Sequence, residues 1–193
     1  MFTPRTFITS LLVLIFVLAQ SAPAWAQFQA GATATDITPR QLPVIVNGGF
    51  IERQTSHIDD PLHVRCLVVG DGTTKIAMAI ADSCMIPRDV CDQVKREVER
   101  RTGIPVGNIL IAATHTHSAP SLMDFCLGSR QDRGYTRYFV SQVIEGIVEA
   151  NTKMEPAEAG WTVVDAPEHT HCRRWIRRPD RTGSDPFLLG FST

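Results

Sequence analysis

Two histidines separated by one residue, His115 and His117, are the side chains whose type and spacing point most directly to chemistry. They follow a strand-like run, residues 108–114, and precede turn-forming residues 118–120. Alternate residues of a strand share a face, so both imidazoles are expected to point the same way. Such a pair would bind one Zn²⁺, or provide one metal ligand and one substrate contact. Two solvated histidines at a turn are the alternative, because zinc needs three or four ligands.

A helix is predicted just before this strand-like run. Val90, Val94 and Val98 recur at helical spacing, Pro87 suits the first turn, and Gly103 suits the C-terminal cap. A preceding hairpin is predicted from two alternating runs, residues 62–69 and 74–81. The order is therefore strand, helix, strand, which almost always makes the two strands parallel with a right-handed crossover.

Parallel neighbours end on the same edge of a sheet, and sites in open α/β sheets lie beyond that edge. Here the edge carries Asp82 after one strand, and His115 and His117 after the other. Asp82 is a candidate acceptor for an imidazole N–H, which would select the tautomer, or a metal ligand itself. The alternative for Asp82 is a helix-entry residue that bonds local backbone.

The other elements are predicted less sharply. We expect an opening strand over residues 28–37 and turns without a sustained period over 40–60. The long loop 118–133 would wall a pocket or form a small satellite core. A helix over 135–150 buries an apolar stripe, and a last strand covers 157–165. The predicted class is α/β, with a mixed sheet, a βαβ crossover and flanking helices.

The first 26 residues have the features of an export signal. Arg5 lies near the start, an apolar run covers 7–19, and residues 24–26 form a small-x-small cleavage site. Residues 27–193 are therefore expected to be a periplasmic or secreted protein, with a retained membrane anchor as the alternative. Without Arg5 there are 18 basic and 20 acidic residues. That balance gives no reason to expect nucleic acid as a partner.

A local cluster of arginines near the C-terminus departs from this balance. Its members are Arg173, Arg174, Arg177, Arg178 and Arg181. A solvated loop is the favoured interpretation. A site for an anionic head group, with peripheral membrane contact, or for phosphate would have the same composition.

Five cysteines are an odd number for an exported chain, so at least one is free or pairs between molecules. A two-residue turn at Asp71-Gly72 would place Cys66 opposite Ala77, with Cys84 roughly 23 Å further along the strand. That separation excludes a Cys66–Cys84 disulfide. A bridge between Cys126 and Cys172 stays open.

A second pair, His169 and His171, is followed directly by Cys172. Imidazole and thiolate ligands would suit zinc or copper. The preceding Asp165-Ala166-Pro167 predicts that this segment is a loop, so the chemistry is expected to rest on the first pair, His115 and His117.

Three segments carry a resemblance to a known family. Residues 31–39 read Gly-Ala-Thr-Ala-Thr-Asp-Ile-Thr-Pro, residues 60–62 read Asp-Pro-Leu, and residues 112–120 read Ala-Ala-Thr-His-Thr-His-Ser-Ala-Pro. Together they resemble the N-terminal domain of neutral/alkaline (non-lysosomal) ceramidases over most of residues 31–175. The sharpest motif is the family's Thr-His-Thr-His-Ser-Gly-Pro, in which Ala119 replaces glycine here.

The resemblance implies an exported zinc amidase that hydrolyses ceramide to sphingosine and a fatty acid. It implies that His115 is a zinc ligand and that His117 contacts the polar head of the substrate. Arg173 falls at the family's Asn-Arg-Ser motif, although Cys172 and Arg174 replace the flanking residues. The family's remaining zinc ligands and its active-site serine lie downstream of the matched part.

The sequence is therefore expected to be the N-terminal portion of a larger catalytic domain, an incomplete fragment with little or no turnover of its own. A related scaffold acting on another N-acyl amide is a second interpretation. A non-catalytic exported domain that binds metal or lipid, or a gene relic, is the alternative from a different class.

Overall fold

The computed structural model describes residues 28–124 and 129–170. These fall into two units, one ending at Glu158 and the other beginning at Ala159. Within the described ranges the strands are β1 (Gln29–Asp36), β2 (Val44–Val46), β3 (Arg53–Thr55), β4 (His63–Gly70), β5 (Lys75–Ala81), β6 (Ile109–Ala113) and β7 (Glu155–Pro156). The α-helices there are α1 (Arg88–Thr102) and α2 (Arg133–Thr152).

Five strands form one mixed sheet in the order β6-β5-β4-β1-β7. The β5–β6 pair is parallel, and the other pairs are antiparallel. Strands β2 and β3 form a separate antiparallel hairpin. The predicted α/β class with a mixed sheet is confirmed.

The parallel pair is the predicted βαβ unit. Helix α1 connects β5 to β6, and the register runs from Ala77 opposite Ile109 to Ala81 opposite Ala113. Pro87 precedes the first turn of α1, and Gly103 ends the helix in the left-handed region at φ 74°. Since the last paired residues are Ala81 and Ala113, the two strands end together at one edge, as predicted.

The core lies on the face of the sheet that the helices cover. Ala77, Ala79 and Ala81 of β5 are completely buried, which lets the helices approach closely. The predicted stripe of α2 is buried in the same core, with Tyr135, Phe139, Val143 and Ile147 all inside. The Tyr135 hydroxyl is satisfied because it donates to the backbone oxygen of Ile37 at 2.8 Å.

Helix α2 approaches the sheet closely at Gly146. The Thr33 hydroxyl donates to the backbone oxygen of Gly146 at 2.9 Å. A Cβ added at this glycine would lie 2.8 Å from Thr35 Oγ1 and 3.0 Å from Cys66 Sγ. The packing of α2 on β1 and β4 therefore depends on the absence of a side chain at residue 146.

The predicted register of the β4–β5 hairpin is wrong by two residues. Cys66 pairs with Ala79 rather than Ala77, because residues 71–74 form a four-residue loop. The Asp71 carboxylate accepts from the backbone N–H groups of Thr73 and Thr74, at 2.9 and 2.7 Å. These hydrogen bonds lower the pKa of Asp71 to about 2, and they stabilise the longer loop.

Two further predictions about strands are corrected. No strand covers residues 157–165; the chain instead pairs with β1 over Glu155–Pro156 alone. The turn-like region 40–60 contains β2 and β3, which were not predicted because three residues are too few to display a period. The unit that begins at Ala159 has a 3-10 turn at Pro167–His169 among its described residues.

Cys66 and Cys91 are free thiols. Several predicted features lie outside the described residues: the export signal, Cys126 and Cys172 with their proposed bridge, His171, and the arginine cluster. No described helix combines the length and apolar character needed to cross a membrane.

Candidate metal centre

The histidines lie just past the edge where β5 and β6 end. The backbone N–H of Thr114 donates to the oxygen of Ala81 at 3.0 Å, so the two chains stay together for one residue beyond the strands. The chain after β5 then passes through Cys84, and the chain after β6 passes through His115. The parallel pairing therefore brings these two residues side by side.

The histidines are not on a strand, and the predicted reason for their proximity is corrected. Strand β6 ends at Ala113, and His115 has a left-handed φ of 64°. An L-residue adopts this conformation at a cost that surrounding contacts must offset. The two imidazoles meet because the backbone turns at His115, and not because residues alternate on an extended strand.

His115 is oriented by a backbone carbonyl. Its Nδ1 lies 2.8 Å from the oxygen of Cys84. A carbonyl oxygen only accepts hydrogen bonds, so Nδ1 carries the proton and Nε2 keeps its lone pair. This is the usual arrangement of a metal-binding histidine, in which the second ring nitrogen donates to a protein oxygen.

His117 presents the matching nitrogen. Its Nε2 lies 3.3 Å from Nε2 of His115, and the two rings meet edge to face with centroids 4.9 Å apart. Two nitrogen ligands of a tetrahedral zinc, each about 2.0–2.1 Å from the metal, are separated by about 3.3–3.4 Å. The same distance accommodates an N–H···N hydrogen bond when no metal is bound. Both side chains belong to exposed residues, so a metal can reach them.

Cys84 lies directly beside this pair. Its side chain is buried, and Sγ is 3.9 Å from Nδ1 of His115. One nitrogen of each histidine and Sγ of Cys84 all lie within 4.8 Å of one another. Thiolate and imidazole are ligands that zinc prefers. These three residues could hold a metal ion.

Strands β2 and β3 and the loop that connects them contact His117. Arg53 Nη2 donates to the backbone oxygen of His117 at 2.6 Å. Gly48, with φ 104°, lies so close that an added Cβ would be 2.5 Å from Cβ of His117. The segment after the histidines also pairs with β2, since the N–H of Asn47 donates to the oxygen of Ala119 at 3.0 Å. The position of His117 is thus set by a separate hairpin.

Replacing Gly48 by alanine should weaken zinc binding by about tenfold or more, because the new methyl group must displace His117 from His115. The variant should also lose about 1–3 kcal/mol of unfolding free energy from its left-handed backbone. Gly72→Ala is the matched control: its φ is 89° and an added Cβ meets nothing within 4 Å. Calorimetric zinc titration and urea unfolding measure both effects. Equal zinc affinities in the two variants would contradict the role given to Gly48.

The Asp82 carboxylate has partners other than an imidazole. Its Oδ2 accepts from the backbone N–H of His63 at 3.0 Å and from Nη1 of Arg65 at 3.0 Å. These contacts join the start of β4 to the end of β5. Orientation of an imidazole by Asp82 stays a prediction, as does the role of Arg173, which lies outside the described residues.

A cleft of about 640 Å³ adjoins the histidine segment. Thr116 and Ser118 line it, and they alternate along the chain with His115 and His117, which are not among its lining residues. The rest of the lining is partly apolar and partly polar. Its apolar residues include Leu42, Val44, Val46, Ile58, Leu62 and Pro120. Its polar residues include Arg53, His57, Asp59 and Asp60. The loop residue Leu122 is fully buried in the core instead.

Sequence reasoning did not identify Cys84, Gly48 and Arg53 as parts of the site. Cys84 could have been found, because the argument that selected Asp82 at the end of β5 applies equally two residues later. Gly48 falls in the stretch 40–60, for which the sequence predicts turns alone. Arg53 carries no local pattern, since its contact with His117 joins residues distant in sequence.

The described part of the chain is thus an α/β protein with a mixed sheet, and its histidine pair lies just beyond the ends of the parallel strands β5 and β6. No family model matches the sequence. The structure is similar to that of neutral ceramidase from Pseudomonas aeruginosa, with a TM-score of 0.60 and 22% sequence identity. It is equally similar, by the same measures, to a ceramidase solved in complex with C2.

In both cases the similarity covers 68% of this chain and 22% of the other. This chain therefore matches about a fifth of the length of those ceramidases. The predicted resemblance is confirmed at the level of the fold.

Proposed function

We propose that the centre at His115 and His117 binds zinc and forms part of an amidohydrolase for an N-acyl amide such as ceramide. The observation that carries the proposal is the 3.3 Å separation of the two Nε2 atoms, with the ring of His115 held by the oxygen of Cys84. The similarity of this chain's fold to that of a neutral ceramidase supports an amide substrate. Export to the periplasm or beyond is part of the same proposal.

When bound, zinc supplies polarisation of the amide carbonyl and a lowered pKa for water at the metal. The chain contributes the placement of the ligands. His115 offers Nε2 because its Nδ1–H is engaged by Cys84. His117 offers Nε2 at ligand spacing, which favours a second metal ligand over contact with substrate alone. We also propose that Arg173 binds a polar group of the substrate.

The cleft supports a second candidate function, a binding domain for a lipid-like ligand without catalysis. Its apolar residues would contact an acyl chain, and its polar residues would contact a head group. Because the histidines do not line this cleft, such binding would not need the metal.

The proposal is tested with two small molecules, one that chelates zinc and a matched one that does not. We expect the purified chain, stripped of metal and reloaded, to retain one zinc. Zinc-loaded protein should bind a short-chain fatty hydroxamate at least about tenfold more tightly than the fatty amide of the same chain length, because a hydroxamate chelates zinc. Calorimetry measures both affinities, and mass spectrometry detects any hydrolysis of the amide.

Each outcome bears on a different part of the proposal. Failure to bind zinc would overturn it. Equal binding of both ligands with and without zinc would favour the lipid-binding candidate. We expect little or no amide turnover by this chain alone, since its match covers about a fifth of the ceramidases. Turnover that depends on His115 would contradict that expectation and assign the complete reaction to this chain.

A further inference from the structure

We infer that Cys84 is a third ligand of the metal centre, so that this chain supplies a Cys-His-His set of ligands. The inference rests on the proposed zinc site. It adds a ligand that the resemblance to ceramidases does not imply.

The position of Cys84 follows from the topology. It lies three residues after the end of β5, and His115 lies two residues after the end of the parallel neighbour β6. Cys84 contacts His115 twice: its oxygen is 2.8 Å from Nδ1 and its Sγ is 3.9 Å from the same atom. The carbonyl contact holds the backbone of Cys84 against the imidazole, which keeps the thiol close to the histidine pair.

The separations are close to those of a bound tetrahedral metal. One sulfur and two nitrogen ligands around zinc lie about 3.3–3.6 Å from one another. Here Sγ of Cys84 and one ring nitrogen of each histidine lie within 4.8 Å of one another, and Sγ lies 3.9 Å from Nδ1 of His115. Coordination through Nε2 of His115 therefore requires the Cys84 side chain to rotate toward that nitrogen and the exposed imidazoles to shift, by on the order of 1 Å.

The chemistry of the donor set supports the same assignment. Two neutral imidazoles leave the full charge of a divalent ion uncompensated, whereas a thiolate removes one unit of it. Sulfur and nitrogen donors select zinc over magnesium or calcium, which prefer oxygen. Three protein ligands with one open position are the usual composition of a catalytic zinc site, while structural sites use four.

The other described cysteines have different surroundings. Cys66 is buried in β4 against Gly146, and burial raises its thiol pKa to about 11. Cys91 is half-buried on α1, where burial also raises its thiol pKa. Among the described residues, the group of three with ligand spacing consists of Cys84, His115 and His117.

Cobalt substitution tests this assignment with a readout other than activity. A cysteine thiolate bound to Co²⁺ gives an intense charge-transfer absorption in the near ultraviolet, and histidine alone does not. The protein is the full chain carrying Cys126→Ser and Cys172→Ser, which removes the two thiols outside the described residues. We expect the absorption in this background and in its Cys91→Ser variant, and its loss in Cys84→Ala.

Affinity gives the second measurement. Loss of a residue that hydrogen-bonds to a metal ligand weakens metal binding about 10–100-fold. Loss of Cys84, as a ligand itself, should therefore raise the zinc dissociation constant at least about tenfold. Cys91→Ser should leave it unchanged. Far-ultraviolet circular dichroism checks that each variant is folded, and Cys84→Ser replaces Cys84→Ala if the alanine variant is not.

The outcomes separate this inference from the proposed function. Co²⁺ binding without the thiolate absorption, or with an absorption that persists in Cys84→Ala, would overturn the assignment of Cys84 and leave the histidine site standing. Absence of Co²⁺ and Zn²⁺ binding in the folded background protein would overturn both.

Discussion

Replacement of His115 by alanine is expected to lower zinc affinity by about a hundredfold or more. The substitution removes the Nε2 donor and also the ring whose Nδ1–H binds the oxygen of Cys84. Loss of a ligand costs more than the 10–100-fold that follows from loss of a supporting contact. Alanine must keep the left-handed backbone at φ 64° without this hydrogen bond, so the free energy of unfolding should fall by about 1 kcal/mol. Competition with a chromogenic chelator measures the zinc affinity.

His57→Ala is the matched control for this experiment. His57 is an exposed histidine of the same unit, and its Nε2 contacts Asp59 at 3.1 Å rather than another imidazole. An exposed pair of this kind contributes little to stability. The control should therefore keep the zinc affinity of the original protein. Equal losses in both variants would show that zinc binds histidines nonspecifically.

Gly146→Val is expected to lower the free energy of unfolding by about 2–3 kcal/mol. Even a Cβ at this position would lie 2.8 Å from Thr35 Oγ1 and 3.0 Å from Cys66 Sγ, and valine adds two methyl groups beyond it. Overpacking of a filled core costs about 1–3 kcal/mol, and the better helix propensity of valine recovers only a few tenths of a kcal/mol. Helix α2 would have to move away from β1 and β4. Urea unfolding followed by circular dichroism measures the change.

Gly134→Val provides the comparison on the same helix. Gly134 lies in the exposed first turn of α2, where an added Cβ meets only Asp132 Oδ1, at 3.5 Å. This variant should stay within about 0.5 kcal/mol of the original protein, as surface substitutions usually do. If both valines cost the same, the close approach of α2 to the sheet at Gly146 would be contradicted.

The correct predictions concern features that short stretches of sequence encode. The alternation of alanines in β5 and the valine spacing of α1 are local patterns, and both elements were predicted within one or two residues. Right-handed crossover connections are so strongly favoured that the parallel pairing of β5 with β6 followed directly. The edge of the sheet that carries His115 was thus predictable before any tertiary contact was known.

The wrong predictions depend on contacts that local patterns do not encode. The hairpin register was misplaced because the Asp71 carboxylate stabilises a four-residue loop in place of a two-residue turn. Strands β2 and β3 are too short to show alternation. Val46 of β2 also forms an antiparallel bridge with Pro120, which follows His117. The predicted strand over residues 157–165 has suitable residue types, but pairing with β1 stops at Pro156.

The amino-acid sequence by itself determined the α/β class, the crossover unit and the histidines at its edge, because residue spacing and backbone chirality act over short distances along the chain. Only the tertiary structure decided which residues make up the candidate metal centre. Cys84 and His115 follow two neighbouring parallel strands and lie side by side, and Gly48 and Arg53 contact His117 from a separate hairpin. These contacts join residues that are between 31 and 69 positions apart, and the packing of the folded chain alone brings such residues to within bonding distance.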